Sequence, residues 1–62
     1  MNKYETEVHK YWIKTILSEG SDDLTEWEAD FVMATRMTLQ NGQPISDKQE
    51  AVIEKLYEKI TR

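Results

Sequence analysis

The 62 residues include no cysteine, one proline, one histidine and two glycines. Without thiols the chain has no disulfide staple, no thiolate nucleophile and no sulfur-ligated zinc site. No apolar run approaches the roughly 20 residues of a membrane-spanning helix, and the N-terminus lacks the apolar stretch of a secretory signal. The expectation is a soluble, cytoplasmic chain. Positive charge is also scarce: eight Lys and Arg against twelve Asp and Glu leave a net charge of -4 and a pI near 4.8. That balance argues against broad affinity for DNA, RNA or anionic membrane, because such binding rests on basic residues that neutralise phosphate. Collagen, coiled-coil and low-complexity patterns are missing too. The length leaves one small domain, residues 1–62, since a second would have no material for a core.

What the chain does have is helical periodicity. Tyr4, Val8, Tyr11, Trp12, Ile16 and Leu17 recur at spacings of three and four and predict a first helix over about 3–18. Gly20 follows as a candidate left-handed C-cap before the polar Ser21-Asp22-Asp23 turn. Thr25-Glu26-Trp27-Glu28 has the spacing of a capping box, in which the Thr25 hydroxyl and the Glu28 carboxylate each accept from the other residue's amide. A second helix over 26–40 follows, with Trp27, Phe31, Ala34 and Thr38 as its strip, and Asn41-Gly42 ends it. Ser46-Asp47-Lys48-Gln49 repeats the capping-box spacing and opens a third helix over 47–61, with Ile53, Leu56 and Ile60 on one face. Lys3 with Glu7 and Glu58 with Arg62 are spaced to pair across a helical turn. The architecture expected is all-α, a compact three-helix bundle with Val8, Trp12, Ile16, Trp27, Phe31, Ala34, Ile53, Leu56 and Ile60 inside. The two capped helices are better specified than the first, so a loosely packed first helix is the alternative.

Chemistry is harder to find. His9 stands beside Val8 at the edge of the apolar strip, which predicts a surface or boundary residue able to donate to Glu5. Glu5 and His9 alone do not make a selective metal site, and no phosphate-binding loop or calcium loop accompanies them. The expectation is a protein that is not an enzyme and has no metal or cofactor. Six acids, Glu19, Asp22, Asp23, Glu26, Glu28 and Asp30, fall between positions 19 and 30 with no basic residue among them. The other segments sum to a slightly positive charge, so any electrostatic steering of a partner belongs to this stretch. Its plain reading is capping and solubility. Tyr4, Tyr11 and Tyr57 are candidates for a partly exposed aromatic patch, and the Met33–Met37 pair either fills gaps or lines an adaptable groove. Ile13, Val32 and Leu39 widen the apolar arcs beyond a narrow seam, which suits a docking face or a homodimer.

Leu24-Thr25-Glu26-Trp27-Glu28, then Phe31, then Ile45-Ser46-Asp47-Lys48-Gln49, Ile53 and Tyr57-Glu58-Lys59 resembles a short two-helix module. Similar W-E-x-x-F and S-x-K-Q stretches occur in small phage proteins and beside larger domains of phage and bacterial DNA-metabolism proteins. The resemblance spans residues 24 to 60 and implies an accessory role near replication, recombination or transcription machinery, in the host cytoplasm for a phage protein. It brings no catalytic residues with it.

The function expected is therefore a non-enzymatic interaction protein that docks on a larger protein through helical aromatic surface and an acidic turn. Its candidate partner-binding residues are Tyr11, Asp22, Asp23, Glu26, Asp30 and Tyr57. The alternatives are an acidic nucleic-acid mimic that inhibits a basic host protein, and a weak single-strand binder using Lys3, Lys10 and Lys14 with Tyr4 or Tyr11.

Overall fold

A computed structural model of the chain describes residues 2–61. It contains helices α1 (Thr6–Glu19), α2 (Glu26–Gln40) and α3 (Asp47–Thr61), with a single 3-10 turn at Ser21–Asp23. Among the described residues there is no strand, and the three helices form a compact all-α bundle. Both capping boxes are present. The Thr25 amide donates to Glu28 Oε1 at 2.8 Å and the Glu28 amide to Thr25 Oγ1 at 3.1 Å. The Ser46 amide donates to Gln49 Oε1 at 2.8 Å and the Gln49 amide to Ser46 Oγ at 3.1 Å. Each box satisfies amides that a helix start otherwise leaves unpaired, so α2 and α3 begin where these residues stand.

The end of α2 is equally local. Gly42 sits at φ 75, its amide donates to the Leu39 carbonyl at 3.0 Å, and the Gln43 amide donates to the Thr38 carbonyl at 3.1 Å. This is a Schellman closure, which needs a left-handed residue at Gly42. Gly42→Ala is expected to cost about 1 kcal/mol, read by urea denaturation, because alanine gains no contact there and pays for the left-handed backbone. A variant as stable as the parent would show that the turn re-forms without it.

Helix α1 departs from expectation at its start. It begins at Thr6 rather than near Lys3, and the segment before it is held against the start of α3: the Lys3 and Tyr4 amides donate to the Glu50 carboxylate and the Asn2 side chain donates to the Ile45 carbonyl. Lys3 therefore lies outside the helix, and its pairing with Glu7 across a turn is lost; Glu7 instead meets Lys10 at 3.9 Å. The Glu58–Arg62 pair lies partly outside the described residues. Gly20 is not a left-handed cap either, at φ -122 and ψ 8. It is buried, and a Cβ there would overlap Cδ1 and Cγ1 of Ile60.

Far from being the loose element, α1 is central, packing most extensively on α3 and also on α2. The core holds Trp12, Ile13 and Ile16 of α1, Val32 and Leu39 of α2, Ile45 before α3, and Ile53 and Leu56 of α3. Val8 and Ile60 pack at its margin. Two expected core residues are outside: Trp27 is 61% exposed and Ala34 is also exposed. Helix α2 is turned by about one residue, or 100°, from the expected orientation, so that Val32, Thr35 and Leu39 face inward while Phe31 and Thr38 are half-buried. Ile13, Val32 and Leu39 are thus buried in the core.

Candidate functional site

Four features carry chemistry, and they occupy different parts of the bundle. The first is a buried clasp. His9 and Glu50 are 1% and 5% exposed, and His9 Nε2 lies 2.6 Å from Glu50 Oε2. The same carboxylate accepts from the Lys3 amide at 2.8 Å and the Tyr4 amide at 2.9 Å. Burial opposes the charge on Glu50, but these donors and His9 outweigh it and hold its carboxyl below the ordinary 4.5. An ionised carboxylate accepts only, so the His9 Nε2–H is the donor in their contact. His9 is therefore fully buried rather than at the surface or boundary as expected from its position, and the Glu5 backbone carbonyl, not its side chain, accepts from the His9 amide. The clasp buries the His9 and Glu50 side chains and joins the N-terminal segment to α3. Among the described residues no group of three His, Asp or Glu side chains is arranged to hold a metal ion.

The second feature is the outer face of α2. Trp27, Phe31, Ala34 and Thr38 share one strip at about 100° per residue, and Glu26, Asp30, Met33 and Met37 share the next. Trp27 and Phe31 form a tilted ring pair with centroids 5.2 Å apart, and Met33 and Met37 are 43% and 57% exposed. Asp22, Asp23, Glu26 and Asp30 are all exposed around this face. Glu28 belongs to the cap: the Thr25 amide it accepts from, aided by the Lys59 charge, holds its carboxyl below the ordinary 4.5 despite partial desolvation.

The third is an aromatic row on the α1–α3 side. Tyr4 meets Trp12 edge-on at 4.8 Å, Trp12 lies 5.9 Å from Tyr57, and Tyr57 lies 5.9 Å from Tyr11. A hydrogen bond with Tyr11, followed by burial, pushes the Tyr57 phenol above its ordinary 10.0. Of the six candidate partner-binding residues, the structure thus joins Tyr11 to Tyr57 and sets Glu26 and Asp30 on α2, beside Asp22 and Asp23 in the preceding turn. The two sets belong to different helix pairs. Tyr57 packs against the core, whereas Tyr11 is 58% exposed.

The fourth was not foreseen. A groove of about 470 Å³ runs between α1 and α2, floored by Ile13, Leu17 and Leu39 and rimmed by Lys10, Lys14 and Arg36. Lys14 and Arg36 are 22 positions apart, and only the helix pairing brings their charges to one opening. The periodicity of α1 carried a partial signal, since Lys10 and Lys14 share a face with Leu17.

Compared with known proteins, the chain matches no family model, no curated protein and no solved structure. No helix among the described residues is long and apolar enough to cross a membrane.

Proposed function

We propose that this chain is a small non-enzymatic interaction protein, phage-related and acting in the host cytoplasm, that docks on a larger protein of nucleic-acid metabolism through the outer face of α2. One observation carries the reading: Trp27 is 61% exposed, with Phe31 in ring contact with it and Met33 and Met37 along the same helix. Tryptophan is the residue that most often anchors an interface when buried by a partner, and flexible methionines let such a face adapt. Glu26 and Asp30, with Asp22 and Asp23 in the preceding turn, add negative charge around it, so the complementary surface is apolar at its centre and basic at its rim. The resemblance of residues 24–60 to accessory segments of DNA-metabolism proteins supplies the class of partner. Tyr11 beside Tyr57 is a second, smaller aromatic patch.

The test compares the native chain with Trp27→Ala in capture from bacterial lysate, with the retained proteins identified by mass spectrometry and titrated singly. Trp27→Ala is expected to keep its unfolding free energy within about 0.5 kcal/mol while weakening the captured complex by about tenfold. Equal affinity of both forms for the same protein would overturn the docking role. The four exposed acids also favour a second reading, imitation of a nucleic acid's phosphate array. In that case DNA competes for the captured protein and the complex dissolves steeply with salt, whereas apolar docking is largely indifferent to it.

A further inference from the structure

We propose that the chain also associates with itself head to tail, the acidic aromatic face of α2 on one copy seating in the basic groove between α1 and α2 of the next. The inference rests on the docking role given above to the Trp27 face and names one occupant for it. The groove's rim carries Lys10 and Lys14 one turn apart on α1, with Arg36 across from them on α2, and among the described residues no carboxylate lines it. Among the described residues the one ion pair these cations make is the 3.9 Å contact of Lys10 with Glu7, between two well-exposed side chains. Among the described residues the charges of Lys14 and Arg36 are therefore unmatched.

An apolar floor between cations on two helices fits an occupant that is apolar along its centre and anionic beside it. The floor is aliphatic, so it offers nucleic-acid bases no ring to stack on, and a free phosphate gains nothing from it. The matching surface stands on the chain itself, where the paired rings of Trp27 and Phe31 run beside Glu26 and Asp30. Arg36 follows Trp27 by nine residues, which at about 100° each places it on the opposite side of α2. The two faces of one molecule point away from each other and meet only between copies. Such a contact joins unlike surfaces, so its repetition gives a ring or an open chain rather than a two-fold dimer. A stable interface takes about 800 Å² from each partner, nearly a fifth of this chain's 4502 Å². A single groove supplies less, and the association is weak and salt-sensitive. It covers Trp27, so self-association and capture of another protein compete.

Sedimentation velocity of the full chain over a concentration series reads the association. The native chain is expected to sediment faster as concentration rises and to return to monomer in high salt. One variant carries Lys14→Glu with Arg36→Glu, and a second carries Glu26→Lys with Asp30→Lys. Each alone sets like charges on both faces and is expected to self-associate at least about tenfold more weakly. Mixed, the two are expected to associate again, because each altered face now meets its opposite. A native chain that stays monomeric, oligomers indifferent to both variants, or a mixture no more associated than its components would each overturn the proposal. All four positions are exposed, and circular dichroism guards against unfolding, with Lys14→Gln and Arg36→Gln as the milder pair. Monomers throughout, with capture still lost in Trp27→Ala, would defeat this inference alone. A working charge swap with capture unchanged in Trp27→Ala would defeat the docking role alone.

Discussion

Glu50→Gln is expected to destabilise the fold by about 3 kcal/mol, the largest loss of any substitution considered. The carboxylate is 5% exposed and accepts from two backbone amides and His9. Glutamine keeps one acceptor oxygen and turns an NH2 toward a donor, so at least one buried group loses its partner. A chain of this length has a stability on the order of 3 to 9 kcal/mol, and the thermal midpoint is expected to fall by about 12 to 24 °C. The pH dependence follows from the same contacts. The folded carboxyl lies below its ordinary 4.5, so on acidification the unfolded chain takes up the proton first. The stabilisation by Glu50 is complete above about pH 5 and is lost as pH falls through the lowered folded value. Glu28 acts in the same direction through its capping box. Urea unfolding of Glu50→Gln should therefore show a shallower acid slope than the parent, though not a flat one. Parental stability at neutral pH together with a parental slope would show that the clasp does not hold the fold.

Gly20→Ala is expected to cost about 2 kcal/mol for a steric reason alone. At φ -122 and ψ 8 the backbone accommodates alanine, but the added Cβ enters space filled by Ile60. The end of α1 therefore approaches the last turn of α3 as closely as it does because position 20 has no side chain. The test is a double-mutant cycle by urea denaturation with Ile60→Ala, in which the combined loss is expected to be smaller than the sum of the single losses. Strict additivity would place the cost elsewhere.

What was legible in the sequence is what is encoded locally. Both capping boxes and the Asn41-Gly42 stop involve residues within a few positions of each other, and the bounds of α2 and α3 follow from them. The start of α1 was not legible, because Asn2, Lys3 and Tyr4 are held by Ile45 and Glu50, more than forty residues away. His9 was misplaced for the same reason. The orientation of α2 failed differently: the strip of Trp27 and Phe31 and the strip of Val32 and Leu39 are both apolar, and periodicity cannot say which one α1 covers. The acidic stretch was plain from composition, whereas the basic groove exists only once α1 and α2 are side by side.

The pairing of α1 with α3 also bears on how fast the molecule forms. Neighbouring helices in a bundle can meet after closing a short loop, but here the principal contact joins the first helix to the third, and the clasp ties Tyr4 to Glu50 across 46 positions. Loop-closure entropy must be met before Trp12 and Ile16 gain Ile53 and Leu56 as neighbours. The chain is therefore expected to fold more slowly than a helical bundle whose main contacts join sequence neighbours.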